Sequence, residues 1–216
     1  MAGFLKRIEE RLDGGGEILD LGAGRSPTLD PQLRRECHYV GMDQSPTELG
    51  MAPDDAYDET VVADACRFVP EMAGRFDLVI TWNMLEHVPS LERALENAYS
   101  YLRPGGRLVA HFPSGMSVFA LLNRVVPHRL GGRLMESLLD RARDTKFEAY
   151  YDRCYYAAFR PLLEPFTDWG VVLHFRAGIY FGFSPALQAG YIAWEEWAMQ
   201  SGRPNLATHY TLYADR

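Results

Sequence analysis

Asp20-Leu21-Gly22-Ala23-Gly24 is the sharpest chemical signal in the chain. The apolar run Glu17-Ile18-Leu19 leads into an acid and then a Gly-x-Gly turn. Glycines let the backbone approach a ligand closely at the carboxyl end of the first strand of an open sheet. Gly-x-Gly alone selects no ligand, but its neighbours do. A dinucleotide fingerprint would carry a third glycine at position 27, where Pro27 stands. No Gly-Lys-Ser/Thr follows, which excludes a P-loop, and Asp20 is an unwelcome neighbour for a pyrophosphate. The next two apolar runs end at Asp43 and at Asp64, which Ala65 follows, and the fourth ends near Asn83, with Glu86 one helical turn on. Asp43 lies nineteen residues past Gly24, about where a ribose-binding acid sits in such folds. Each acid has a second reading, as the cap of a turn or helix.

Carboxylates gathered at strand ends suit a ligand with hydroxyls, an amine and a positive centre, and suit phosphates poorly. S-adenosylmethionine is such a ligand: it offers a sulfonium, an α-amino group, a ribose diol and an adenine. Transfer of its methyl group is an in-line displacement in which the protein chiefly aligns the reactants. A base is needed only for a protonated nucleophile. His87, just past the fourth run, is the first candidate base, its ordinary pKa of about 6.5 suiting proton removal. Equally, Glu86-His87 could brace the following helix. His111, ahead of Phe112-Pro113-Ser114, is the second candidate, with a satisfied core histidine as the other reading.

These residues need strands to carry them. Short, nearly continuous apolar runs cover 18–21, 39–42, 61–63, 76–82 and 107–112, as in a parallel sheet covered on both faces. Between them 91–102 reads as an amphipathic helix, with Leu91, Ala94, Leu95, Ala98 and Leu102 on one face. Ser90 caps it and Pro104-Gly105-Gly106 stops it. The segment between the glycine turn and the second strand contains Pro27, Asp30 and Pro31, so a first helix there should be short or broken. Two later strand signals, 170–177 and 207–213, flank a helix at 185–199. Alternating strands and helices give a doubly wound α/β sheet.

The ordered set Ile18-Leu19-Asp20-Leu21-Gly22-Ala23-Gly24, Val40-Gly41-Met42-Asp43, Ala63-Asp64-Ala65, Phe76-Asp77-Leu78-Val79-Ile80 and Leu102-Arg103-Pro104-Gly105-Gly106-Arg107-Leu108 resembles the class I S-adenosylmethionine-dependent methyltransferases. Leu85-Glu86-His87-Val88 is similar to the segment after the fourth strand in small-molecule members. The resemblance runs over about 16–113 and fits Tyr180-Phe181-Gly182-Phe183 and the closing strand more loosely. It implies a Rossmann-like, seven-stranded, mainly parallel sheet with an antiparallel last strand. It also implies that Gly22, Ala23 and Gly24 pass under the methionine moiety while Asp20 helps hold its amino group. Asp43 would accept from both ribose hydroxyls, Asp64 with the Ala65 amide would read the adenine edge, and Asn83 would contact the methionine end. One departure stands out: many members carry a glycine two positions after Gly24, where this chain has Ser26.

The 216 residues suffice for one α/β domain, 1–216, and the rhythm change over 114–165 reads as a helical cap inserted over the acceptor site. Helical stretches are predicted at 118–126, 130–143 and 151–163. Arg124, His128, Arg129, Arg133, Arg141, Arg143, Lys146 and Arg153 alternate there with Tyr150, Tyr151, Tyr155 and Tyr156. Arginine forks recognise carboxylates and phosphates, so one reading is a small anionic acceptor. Other readings are a solvated face among Glu136, Asp140 and Asp144, or a basic amphipathic surface toward a lipid-like acceptor. A net charge of −7 disfavours nucleic acid. Trp82-Asn83-Met84-Leu85 also lacks the Asn/Asp-Pro-Pro-aromatic motif of nucleic-acid amino-methyltransferases. Three dispersed cysteines suggest neither disulfides nor a zinc site, so a reduced, cytoplasmic setting is expected. Neither a signal-peptide core nor a bilayer-spanning stretch is seen. A non-catalytic S-adenosylmethionine-binding subunit is the rival from another class, but it would be expected to have lost the three acids. A dehydrogenase is opposed by Pro27 and by the lack of a Tyr-x-x-x-Lys pair.

Overall fold

In the computed structural model, residues 2–12, 15–117, 120–121 and 148–216 are described. Strands β1 (Gly16–Leu21), β2 (Cys37–Asp43), β3 (Glu59–Val62), β4 (Phe76–Trp82), β5 (Leu102–Pro113), β6 (Asp168–His174) and β7 (His209–Asp215) form one sheet in the order β3-β2-β1-β4-β5-β7-β6. The first five are parallel neighbours, and β7 runs antiparallel to both β5 and β6. This is the doubly wound α/β arrangement that the alternating pattern predicts. The strand order reverses between β1 and β4, which opens a crevice at their carboxyl ends, the usual ligand position in such sheets.

Both faces are covered, which is why the central strands are apolar throughout. Leu19, Leu21, Val79, Leu108 and Ala110 pack on one side with Leu91, Ala94, Leu95 and Ala98 of α4 (Leu91–Tyr101). Ile18, Leu78, Ile80 and Val109 pack on the other with Phe4 and Ile8 of α1 (Ala2–Glu9). The helix after the glycine turn, α2 (Pro31–Arg34), has four residues, as the prolines predict. A second short helix, α3 (Pro46–Gly50), follows β2 and is capped by Ser45.

Several boundaries differ from the sequence reading. Strand β5 begins at Leu102, five residues early, because Leu102 pairs with Phe76 before a register shift leads to the Arg107–Leu78 pair. Strands β6 and β7 end and start two or more residues from their apolar runs. The helix expected over 151–163 is only α5 (Tyr156–Phe159) followed by a 3-10 turn, Arg160–Leu163. Ahead of it Tyr151 and Arg153 take left-handed backbone (φ 50° each), which no helix tolerates. The helices expected at 118–126 and 130–143 lie almost wholly outside the described residues.

The last helix, α6 (Pro185–Gln200), connects β6 to β7 and packs on the 3-10 turn Gly178–Phe181. Glu195 anchors it by accepting from the Ala177 and Gly178 amides (2.6 and 3.2 Å).

Candidate cofactor and active site

The glycine turn is built by close approach. Gly22 (φ 82°) and Ala23 donate to the Met42 carbonyl at 2.8 and 3.1 Å, folding the turn over the end of β2. A Cβ on Gly22 would stand 2.3 Å from Met84 Cγ, so only glycine fits both the backbone and the space. Tyr57 braces the turn from outside, its hydroxyl donating to the Ala23 carbonyl at 2.9 Å. Asp43 ties turn to strand: Oδ2 accepts from the Gly24 amide at 3.1 Å and Oδ1 from the Ser45 amide at 2.8 Å.

An open cleft lies beside this turn, at the carboxyl ends of the central strands. Gly22, Asp43, Asp64, Ala65, Asn83 and His87 all border it, so the sheet brings together six of the residues singled out from sequence. Among the described lining residues none is lysine or arginine. Burial pushes the Asp43 carboxyl up, against the pull of its two backbone amides. Asp64 Oδ1 accepts from the Cys66 amide at 2.8 Å, so it caps a turn and borders the cleft at once. Asn83 holds left-handed backbone (φ 53°), a conformation asparagine tolerates, and donates its amide to the His111 carbonyl at 2.8 Å.

Asp20, Ala23, Gly24 and His111 do not border the cleft. Asp20 is fully buried, and its carboxylate accepts from the Thr28 amide (2.8 Å), the Thr28 hydroxyl (2.9 Å) and the Tyr39 hydroxyl. These three donors tie Asp20 to the path of the chain after the turn, away from the cleft wall. Burial pushes its carboxyl up, and the three hydrogen bonds pull it down. His111 is also buried, stacked on Trp82 at 4.1 Å, with Nδ1 2.9 Å from the Thr211 hydroxyl. Burial, with His209 and His174 beside it, lowers it to about 3. His111 thus lies outside the cleft, packed on Trp82 and Thr211.

His87 sits in a 3-10 turn, Leu85–His87, immediately after β4. Its Nδ1 is 2.9 Å from the Glu148 carbonyl, and its Nε2 is 3.7 Å from Glu86 Oε1. Three features had no signature in the sequence: Tyr39 on Asp20, Tyr57 on the turn, and Gln44 in the cleft wall. The tyrosines act across 19 and 34 residues of sequence, so no local pattern marks them.

Fold and cleft together define a doubly wound α/β protein with an acidic cleft at its strand ends, lined by Asp43 and Asp64 and, among the described residues, by no lysine or arginine. The sequence matches the family described as "Methyltransferase domain" over residues 1–167, and the chain belongs to it. Its fold is that of the class I S-adenosylmethionine-dependent methyltransferases. It is 30% identical over 112 residues to a ubiquinone biosynthesis O-methyltransferase of Acinetobacter baylyi, covering 48% of this chain and 47% of that one. It is 28% identical over 132 residues to an uncharacterized methyltransferase of a Mycobacterium species, covering 61% and 52%. The chain thus spans about half the length of these curated relatives. Among solved structures, a SAM-dependent methyltransferase from Archaeoglobus fulgidus superposes with a TM-score of 0.61 at 15% identity, covering 99% of this chain and 92% of that one. Phosphoethanolamine N-methyltransferase 2 of Haemonchus contortus, solved with S-adenosyl-L-methionine, gives 0.60 at 14% identity, covering 100% and 52%.

Proposed function

We propose that this protein transfers the methyl group of S-adenosylmethionine to a hydroxyl of a small metabolite. The observation that carries the reading is the cleft itself: Asp43, Asp64 and Gly22 line it, and no lysine or arginine is among the described lining residues. That donor set fits a ribose diol, an adenine edge and a cationic sulfonium, and it fits a pyrophosphate badly. When bound, the cofactor supplies an activated methyl group.

The remaining work belongs to the chain. Asp43, its carboxylate oriented by the Gly24 and Ser45 amides, accepts from the ribose hydroxyls. Asp64 and the Ala65 amide meet the adenine edge, and Asn83 and Gly22 meet the methionine end. His87 takes the acceptor proton at Nε2, because Nδ1–H is committed to the Glu148 carbonyl. The hydroxyl acceptor is supported by the O-methyltransferase names of the Acinetobacter and Marinobacter relatives. An anionic acceptor, a carboxylate or phosphonate, is read from the arginines of 124–143, in a cap insertion over 114–165. Arg153 itself pairs with Glu92 at 3.2 Å. Incubation of the protein with labelled S-adenosylmethionine and hydroxy-acid acceptors tests this: label in an ether product supports it, and label in an amine product refutes the O-methylation assignment.

A second reading, a lipid-like acceptor, is favoured by one observation. Ile179 (75% exposed), Phe183 (55%), Leu187 (56%) and Trp197 (52%) lie on the β6–β7 connection, at the sheet edge that carries the cleft. Among the described residues no helix is long and apolar enough to cross a membrane. Turnover on acceptors presented in vesicles, against none on water-soluble ones, would decide for this reading.

A further inference from the structure

The Leu85–His87 turn contains a buried acid that none of the roles above uses. Glu86 is 5% exposed, its Oε2 has no hydrogen-bond partner, and its Oε1 stands 3.7 Å from His87 Nε2. A buried carboxyl oxygen without a donor is costly, and its persistence asks for a compensating partner. The rest of the turn is thoroughly tied. The Glu86 carbonyl accepts from the Tyr150 and Tyr151 amides at 2.9 and 3.0 Å. The Leu85 carbonyl accepts from the Cys154 thiol at 3.6 Å. The backbone is therefore held by the segment at 148–154, while the Glu86 side chain is left facing the imidazole.

We propose that Glu86 is a positioning residue that acts through His87, its carboxylate serving as counter-charge to the imidazolium that forms when Nε2 takes a proton. The inference rests on the reading of His87 as the base. The Glu148 carbonyl can only accept, so the 2.9 Å contact requires Nδ1–H and leaves the proton-accepting lone pair on Nε2. A proton leaving the acceptor hydroxyl lands on Nε2, and the imidazolium so formed is neutralised by Glu86 before the proton passes to solvent. Burial independently pushes the Glu86 carboxyl up to about 7.

Among the described residues, the other ionisable groups packed on this turn are engaged elsewhere. The Glu148 carboxylate accepts from the Tyr150 hydroxyl at 2.9 Å, and Asp152 accepts from the Leu91 amide at 2.9 Å. Arg153 pairs with Glu92, and the Cys154 thiol is on the Leu85 carbonyl. Asp43 and Asp64 line the same cleft as His87, each held by backbone amides.

The test is the titration of the His87 ring followed by NMR in the S-adenosylhomocysteine-saturated protein, alongside the pH dependence of kcat. Glu86→Gln removes the counter-charge, so the His87 midpoint should fall by about one pH unit or more, and the acid limb of kcat should move with it. A midpoint unchanged in Glu86→Gln overturns the proposal. Should that variant fail to fold, His87→Asn with a 13C-labelled Glu86 carboxyl gives the reciprocal reading. Glu86 should then titrate at higher pH than in the parent protein, and an unmoved midpoint again overturns the pairing. The two assignments fail separately: coupled midpoints with full turnover in His87→Asn remove His87 as the base but leave the pair intact. Lost turnover with uncoupled midpoints does the reverse.

Discussion

Asp43 uses its two oxygens to accept from the amides of Gly24 and Ser45, and both bonds orient the same carboxylate toward the cleft. An acid held this way needs little ordering on binding, so its contribution to affinity should be large. Asp43→Ala is expected to weaken S-adenosylhomocysteine binding by at least tenfold in calorimetry, given roughly 1.5–3 kcal/mol for hydrogen bonds to a charged group. Asp20→Asn should behave differently. It keeps the shape but loses an anion that three donors expect, so the thermal midpoint should fall by more than binding does. Equal losses in binding and stability for both variants would show that the two acids do not divide as placed.

The element that does most is the turn between β1 and α2. Gly22→Ala forces a side chain into left-handed backbone and against Met84, and a loss on the order of 2 kcal/mol or more in unfolding free energy is expected. Met84→Ala in the same chain should recover only the part due to Met84 Cγ (2.3 Å), leaving the Met84 Cβ contact (2.7 Å) and the backbone part, a coupling that a double-mutant cycle measures. Tyr57→Phe should cost about 1 kcal/mol by freeing the Ala23 carbonyl, and should loosen the cofactor modestly. This turn also shows how much was legible beforehand. The strand ends and their acids were readable because each apolar run stops where the sheet stops, and that order alone placed Asp43, Asp64, Asn83 and His87 on one edge. The division of labour between Asp20 and Asp43 was not readable. It depends on which face of β1 each neighbour occupies and on Tyr39, nineteen residues away, finding the acid. The place of His111 was not readable for a related reason: a strand-end histidine points to one face or the other, and the packing of Trp82 and Thr211 decides which.

At the scale of the molecule, His111, His174 and His209 gather on the α1 side of β5–β7, with Thr211 bridging His111 and His174 at 2.9 and 2.8 Å. Burial lowers His111 to about 3 and His209 to about 4, against about 6.5 in the unfolded chain. Between those values the unfolded chain binds protons that the folded one refuses, so stability is fully present above about pH 6.5 and is lost as the pH falls toward 4. Urea unfolding at pH 7.5 and 5 should show a loss on the order of a few kcal/mol, and His111→Gln should flatten that dependence. A dependence unaltered in His111→Gln would place the acid sensitivity elsewhere. All these effects turn on whether the acid-lined cleft is a sulfonium-nucleoside site, and titration calorimetry at pH 7.5 asks that directly. One-site binding of S-adenosylhomocysteine that weakens in Asp43→Ala, with no heat from NAD, is the result predicted. Binding of NAD with none of S-adenosylhomocysteine would contradict the account.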